Sequence, residues 1–152
     1  GFRLEPWLGS KKRKAIATSK FYFFDLGVRN FICGIKAISR DSKDFGDLFE
    51  HFIINEIKAY ITYKQKRMSL NFWRSTSKHE VDLILDSKYA VEIKATRKVG
   101  ASHLNSLRAL QEEKIVKKYL IISNDPIERS LEGVDHYHWK KFLKLLWRDE
   151  FF

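Results

Sequence analysis

Apolar and polar residues alternate most cleanly between positions 80 and 94, which read Glu-Val-Asp-Leu-Ile-Leu-Asp-Ser-Lys-Tyr-Ala-Val-Glu-Ile-Lys. Alternation with a period of two marks a β-strand, so this segment predicts two short strands around a tight turn. On the first, Val81, Leu83 and Leu85 point one way and Asp82 and Ile84 the other. On the second, Tyr89, Val91 and Ile93 share a face, opposite Ala90, Glu92 and Lys94. A turn centred on Ser87 sets Asp82 directly across from Glu92. Two carboxylates at about 5 Å repel by roughly 3 kcal/mol at an effective dielectric near 20, and like charges directly opposite destabilise a sheet. A bound cation is one way to turn that cost into a gain.

The rest of the pattern frames this hairpin. Phe21–Phe24 predicts a short aromatic strand, and Asp25 is placed to cap a short helix running to about Ile32. Phe49, Ile53, Ile57, Tyr60 and Ile61 recur at helical spacing, so residues 46–62 predict an amphipathic helix. Leu70–Arg74 predicts a strand, with 75–78 turning into the hairpin. Residues 102–114 predict a second long helix, 119–123 a continuous apolar strand, and 138–147 a final helix. Residues 1–19 read as a basic lead-in, and 20–152 as one domain. The order of helix, three strands, helix, strand and helix points to an α/β or α+β architecture with a central mixed β-sheet flanked by helices.

Composition adds a partner class. The chain has 152 residues, 44% hydrophobic and 14% aromatic, enough for a substantial core. Lys and Arg number 29 against 19 Asp and Glu, a net charge of +10, which favours a polyanion, nucleic acid first. The alternative is a merely solvated basic surface. Cys33 is the single cysteine, so no internal disulfide forms and a cytoplasmic, reducing compartment is expected. No apolar run approaches the ~18 residues of a membrane span, and no leader peptide is visible. The chain opens on Gly1 rather than Met, as expected of a fragment or of a chain whose leader has been removed.

Glu50 supplies a third carboxylate. Ile53, Ile54, Ile57 and Ile61 follow it at offsets of 3, 4, 7 and 11, so it falls within the apolar stripe of its helix. The plain alternative is a solvated residue favouring the helix N-terminus. Oxygen-only ligands from Glu50, Asp82 and Glu92 suit Mg²⁺ or Mn²⁺. Lys94 would neutralise transition-state charge or hold an attacking water. Glu-x-Lys alone is weak, and an ordinary salt bridge accounts for it equally well. Its placement in a hairpin with Asp82, downstream of a helical Glu, is more specific.

The arrangement Glu50, Asp82, Glu92-Ile93-Lys94 resembles the PD-(D/E)XK nuclease superfamily. That resemblance implies a restriction-endonuclease-like core and metal-dependent hydrolysis of DNA phosphodiester bonds, with Glu50, Asp82, Glu92 and Lys94 in the catalytic roles. The Pro that often precedes the Asp is replaced by Val81. Four blocks resemble a narrower group: Tyr22–Val28, Gly46–Glu50, Phe72–Arg74 with Glu80–Asp82, and Val91–Ala95. This group is the C-terminal domain of unknown function that follows an AAA-type ATPase in many bacterial and archaeal proteins. It implies a linked ATPase, although this chain carries no phosphate-binding Gly-x-x-x-x-Gly-Lys-Ser/Thr. A homodimer follows by analogy with such nucleases.

Arg97 and Lys98, just after the Glu-x-Lys strand, and Lys11, Lys12, Arg13 and Lys14 are the candidate phosphate contacts. Glu80 could support Asp82 or sit at an exposed strand end. His136 and His138 could pair on a metal, but no third ligand is in view. Phe72, Trp73 and Arg74 could stack on bases, although strand aromatics are more often core. Gln111 is a weak candidate on the second long helix.

Overall fold

Two side-chain caps set the first helices. Asp25 Oδ1 accepts from the Val28 amide at 2.8 Å and starts α1 (Leu26–Ile32). Ser42 Oγ accepts from the Phe45 amide at 3.2 Å and starts α2 (Lys43–Tyr63), which begins three residues earlier than its apolar periodicity suggests. The computed structural model describes residues 1–40 and 42–152. The remaining helices are α3 (Asn105–Gln111), entered through a 3₁₀ turn over Ala101–Leu104, and α4 (Trp139–Trp147).

Eight strands form one mixed sheet: β1 (Phe2–Pro6), β2 (Lys20–Tyr22), β3 (Leu70–Arg74), β4 (Glu80–Leu85), β5 (Tyr89–Lys94), β6 (Lys118–Ser123), β7 (Arg129–Leu131) and β8 (Val134–His138). Their spatial order is β2-β1-β3-β4-β5-β6-β8-β7. β3, β4 and β5 are antiparallel, while β5, β6 and β8 run parallel. The β5–β6 link carries α3, as a parallel pair requires a crossover.

Part of the expected basic lead-in is sheet. Residues 2–6 are a strand that inserts between β2 and β3, with Glu5 beside Asn71 and Pro6 beside Phe72. Its sequence, Phe-Arg-Leu-Glu-Pro, has only Leu4 as a fully buried residue, so its alternation is too short to register. β7 is absent from the sequence expectation for a similar reason, being three residues long and mostly exposed. β8 is represented there only by the histidine pair at its end. The aromatic strand stops at Tyr22, because side chains of His51 and Asn55 on α2 take the Phe23 carbonyl instead.

The sheet divides two cores. α2 and α4 cover one face through Ile53, Ile57, Tyr60 and Phe142, against Leu83, Leu85, Val91 and Ile122. α3 covers the other through Leu107 and Leu110, against Trp73, Val81, Ile84, Ala90 and Ile121. Val81 therefore does not share a layer with Leu83 and Leu85 as simple alternation predicts. Asn71 pairs with Ile84 and Trp73 with Val81, so Asp82 and Leu83 together oppose the single Phe72. This extra residue is a bulge, which bends the strand and re-aims its side chains.

Candidate functional site

The hairpin turn is built as its sequence asks. Asp86 and Ser87 both have positive φ (51° and 53°), and Lys88 N donates to Leu85 O at 2.9 Å. Two successive left-handed residues match the right-handed twist of the flanking strands. The register they impose pairs Leu83 with Val91, Ile84 with Ala90 and Leu85 with Tyr89. Its next step would set Asp82 against Glu92, as expected, but the ladder ends there. Asp82 Oδ2 instead accepts a hydrogen bond from the Ile93 amide at 2.7 Å.

Asp82 and Glu92 are both buried, 5% and 4% exposed, at the open end of the hairpin. Lys94 joins them. Its Nζ lies 2.5 Å from Glu92 Oε1 and 3.8 Å from Asp82 Oδ2. Glu50 approaches from α2, but it is held by Tyr22, whose hydroxyl donates to Glu50 Oε1 at 2.7 Å, and by Lys20 Nζ at 3.3 Å. Lys20 also pairs with Glu80, and Arg74 Nε reaches Glu80 Oε2 at 2.6 Å. The structure thus gathers four carboxylates (Glu50, Glu80, Asp82, Glu92) and three cations (Lys20, Arg74, Lys94) in one network. Lys20 and Tyr22 come from β2, far away in sequence, and no local pattern marks them.

Burial dominates the protonation of this network. It pushes Asp82 well above the usual carboxylate range, with Glu92 and Glu50 adding repulsion. Burial also raises Glu92 to about 7, even though Lys94 pulls the other way. For Lys94, burial alone would lower the pKa, but Asp82 and Glu92 outweigh it and hold the ammonium charged. Lys20 is raised in the same way, with Glu50 as its main attractor. Glu80 is kept low because Arg74 and Lys20 overcome its own desolvation. Lys94 is therefore a fixed positive charge and not a proton acceptor.

Among the described residues, Glu92 Oε2 is a buried oxygen of this network that accepts no hydrogen bond. A buried acceptor without a donor costs free energy, so this oxygen fits a cation ligand. The donor set is two carboxylates, Asp82 and Glu92, and Mg²⁺ commonly takes one or two with waters and phosphate oxygens completing its shell. A three-ligand site is not present: among the described residues, no three Asp, Glu, His or Cys side chains converge closely enough to hold a metal ion.

The other candidates fall elsewhere. His136 uses both ring nitrogens, with Ser123 Oγ at 2.8 Å and Ile127 O at 2.7 Å, so it is not free to ligate a metal with His138. Phe72 and Trp73 are fully buried core residues. Gln111 Nε2 donates to Glu132 O at 3.0 Å, on α3 and outside the acidic network. Arg97 and Lys98 are exposed just beyond β5.

The basic segment at 11–14 is largely committed to α3. Glu113 accepts from Ser10 Oγ and from the Lys11 and Lys12 amides at 2.8, 2.8 and 2.9 Å. Lys12 Nζ caps Glu112 O, and Arg13 bonds Ala109 O and Glu112. Cations at a helix C-terminus are favoured by the aligned peptide dipoles. The side chains of Lys11 and Lys14 remain exposed.

No helix among the described residues is long and apolar enough to cross a membrane. No curated protein and no solved structure matches the chain significantly. A family model does match, over residues 45–141, which is more than half the chain and runs from α2 through the acidic hairpin to α4. The chain belongs to the DUF4143 family, a domain of unknown function.

Proposed function

We propose that this domain is a metal-dependent nuclease of the PD-(D/E)XK type, hydrolysing DNA phosphodiester bonds at the open end of the β4–β5 hairpin. The observation that carries the reading is the unpartnered Glu92 Oε2, buried beside Asp82 and within the same cluster as Lys94. Asp82 and Glu92 would hold Mg²⁺ or Mn²⁺, and Glu50 would bind through water, since Tyr22 and Lys20 restrain its carboxylate. When bound, the ion would polarise the phosphodiester and acidify a water. Lys94, held charged, would stabilise the negative charge that builds on the phosphoryl oxygens. The linked AAA-type ATPase and a homodimer belong to this proposal as context, carried by the family resemblance.

The test is cleavage of plasmid and single-stranded DNA with Mg²⁺, Mn²⁺ or chelator, beside Asp82→Ala and Lys94→Ala. Metal-dependent cleavage lost in both variants is expected. Cleavage that persists in both sinks the assigned site.

One observation favours a second reading, a DNA-binding or ATPase-docking module that does not cut. The four carboxylates are nearly balanced by three cations, and a single proton on Asp82 or Glu92 closes the charge. Salt-dependent DNA binding without cleavage in any metal is the outcome that selects it.

A further inference from the structure

A groove of about 850 Å³ opens between the start of α2, the loop after β5 and the start of α4. Three cationic side chains line it, Arg40, Arg97 and Lys140, together with Ser42, Asn124 and Trp139. No described lining residue carries a carboxylate, although the chain is rich in acids elsewhere. The three cations come from three separate segments, and none makes an ion pair among the described residues. The 21-residue helix α2 also begins here, although Asp44 in its first turn offsets part of the positive end of its dipole. The start of α4 adds less, because Glu128 Oε1 already accepts from the His138 amide at 3.3 Å.

Two lining residues are near neighbours in sequence of the candidate site. Ala95 in its wall follows Lys94 directly, and Gly46 lies about one helical turn before Glu50. Its volume falls within the range of about 300–1,000 Å³ that encloses a drug-sized molecule. That space is of the size of a nucleotide or two of an unpaired strand. We propose that this groove binds the phosphate backbone of single-stranded nucleic acid and leads it to the Asp82–Glu92–Lys94 cluster. The inference rests on the nucleic-acid reading above and names the form of the substrate.

The test is fluorescence anisotropy of a labelled single-stranded oligodeoxynucleotide of mixed sequence, measured in chelator over a salt series. The groove variant is Arg40→Ala with Arg97→Ala and Lys140→Ala. A charge-matched control carries Lys78→Ala, Lys117→Ala and Lys144→Ala, all exposed and outside the groove. The groove variant is expected to bind at least about tenfold more weakly, and its salt slope to fall by about two, since each lost phosphate contact on a single strand removes about 0.7. The control is expected to bind within about twofold of wild type, because diffuse surface charge contributes little at a single site. Equal weakening in both variants overturns the groove, as does unchanged binding in the groove variant or preference for a duplex of the same sequence. If the triple variant does not fold, Arg97→Glu against Lys117→Glu gives the same comparison with one exposed change each. Binding without chemistry is read in chelator, so cleavage failing while the groove effect stands overturns only the nuclease reading. Metal-dependent cleavage with no groove effect overturns only the groove.

Discussion

Asp82 spends one carboxylate oxygen on the Ile93 amide, at 2.7 Å, in place of the ladder contact it would otherwise share with Glu92. The bulge across from Phe72 turns Asp82 for this role, and the hydrogen bond ties the two strands where their regular pairing stops. The two acids are thereby kept close without being stacked as an ordinary cross-strand pair. Burial then forces at least part of this cluster to hold a proton near neutral pH.

Glu92 makes folding weaken as pH rises. Its carboxyl titrates near 4.5 when unfolded and at about 7 when folded, so the folded state binds the proton more tightly. Stability is lost between those two values, by about 3 kcal/mol if Glu92 acted alone. Glu92→Gln removes this titration. Urea denaturation is expected to show the variant close to wild type below pH 4.5 and more stable than wild type above pH 7. A constant difference across that window would contradict the assignment.

Lys94→Ala leaves Glu92 without its counter-ion. Breaking a fully buried pair costs roughly 3–5 kcal/mol, but the lysine is 36% exposed and Glu92 can take up a proton. A loss of about 1–2 kcal/mol is expected at pH 8, shrinking toward zero near pH 5, where Glu92 is already neutral. Thermal melts at the two pH values check the difference.

A divalent cation that binds only the folded site stabilises it by mass action. Mn²⁺ is therefore expected to raise the melting temperature of wild type above pH 7 and to lose that effect in Glu92→Gln. The rise should shrink below pH 6, because the ligand carboxylate must first lose its proton. An equal rise in wild type and variant would place the ion elsewhere.

Glu113 holds the segment before β2 onto the end of α3. Glu113→Ala removes the acceptor for three hydrogen bonds and leaves two backbone amides without it. Destabilisation of about 2–4 kcal/mol is expected, together with rapid tryptic cutting at Lys11, Lys12, Arg13 or Lys14 while the rest of the fold persists. Resistance of that segment to trypsin in the variant would show that other contacts hold it.

Trp73 is fully buried, and its indole N–H has no partner among the described residues. Trp73→Phe deletes the unsatisfied donor together with some packing volume, so its cost is expected to stay below about 1.5 kcal/mol. Trp73→Ala is expected to cost about 3–5 kcal/mol. Denaturant midpoints of the two variants separate packing from polar burial.

The hairpin was readable because its signals are local. Period-two alternation placed β4 and β5, and Asp86 supplied a residue that tolerates the turn's positive φ. The isoleucines of α2 and the Asp25 cap were equally local. The bulge at Asp82 was hidden, because it depends on what lies across from β4 and not on β4 itself. The final helix was readable as an element, but the first residues of the chain were not, since a five-residue strand with one fully buried side chain carries almost no pattern.

What the sequence determined by itself was the set of candidate residues, Glu50, Asp82, Glu92 and Lys94, and the strands and helix that carry them. Short-range periodicity and turn chemistry suffice for that. Tertiary structure alone decided their partners. β2, which carries Lys20 and Tyr22 against Glu50, is joined to the sheet through β1, and the β1–β3 pairing of Glu5 with Asn71 spans 66 residues of chain. It also set their charge, because protonation of Asp82 and Glu92 follows from burial between packed layers, and no stretch of sequence specifies how much water a carboxylate will lose.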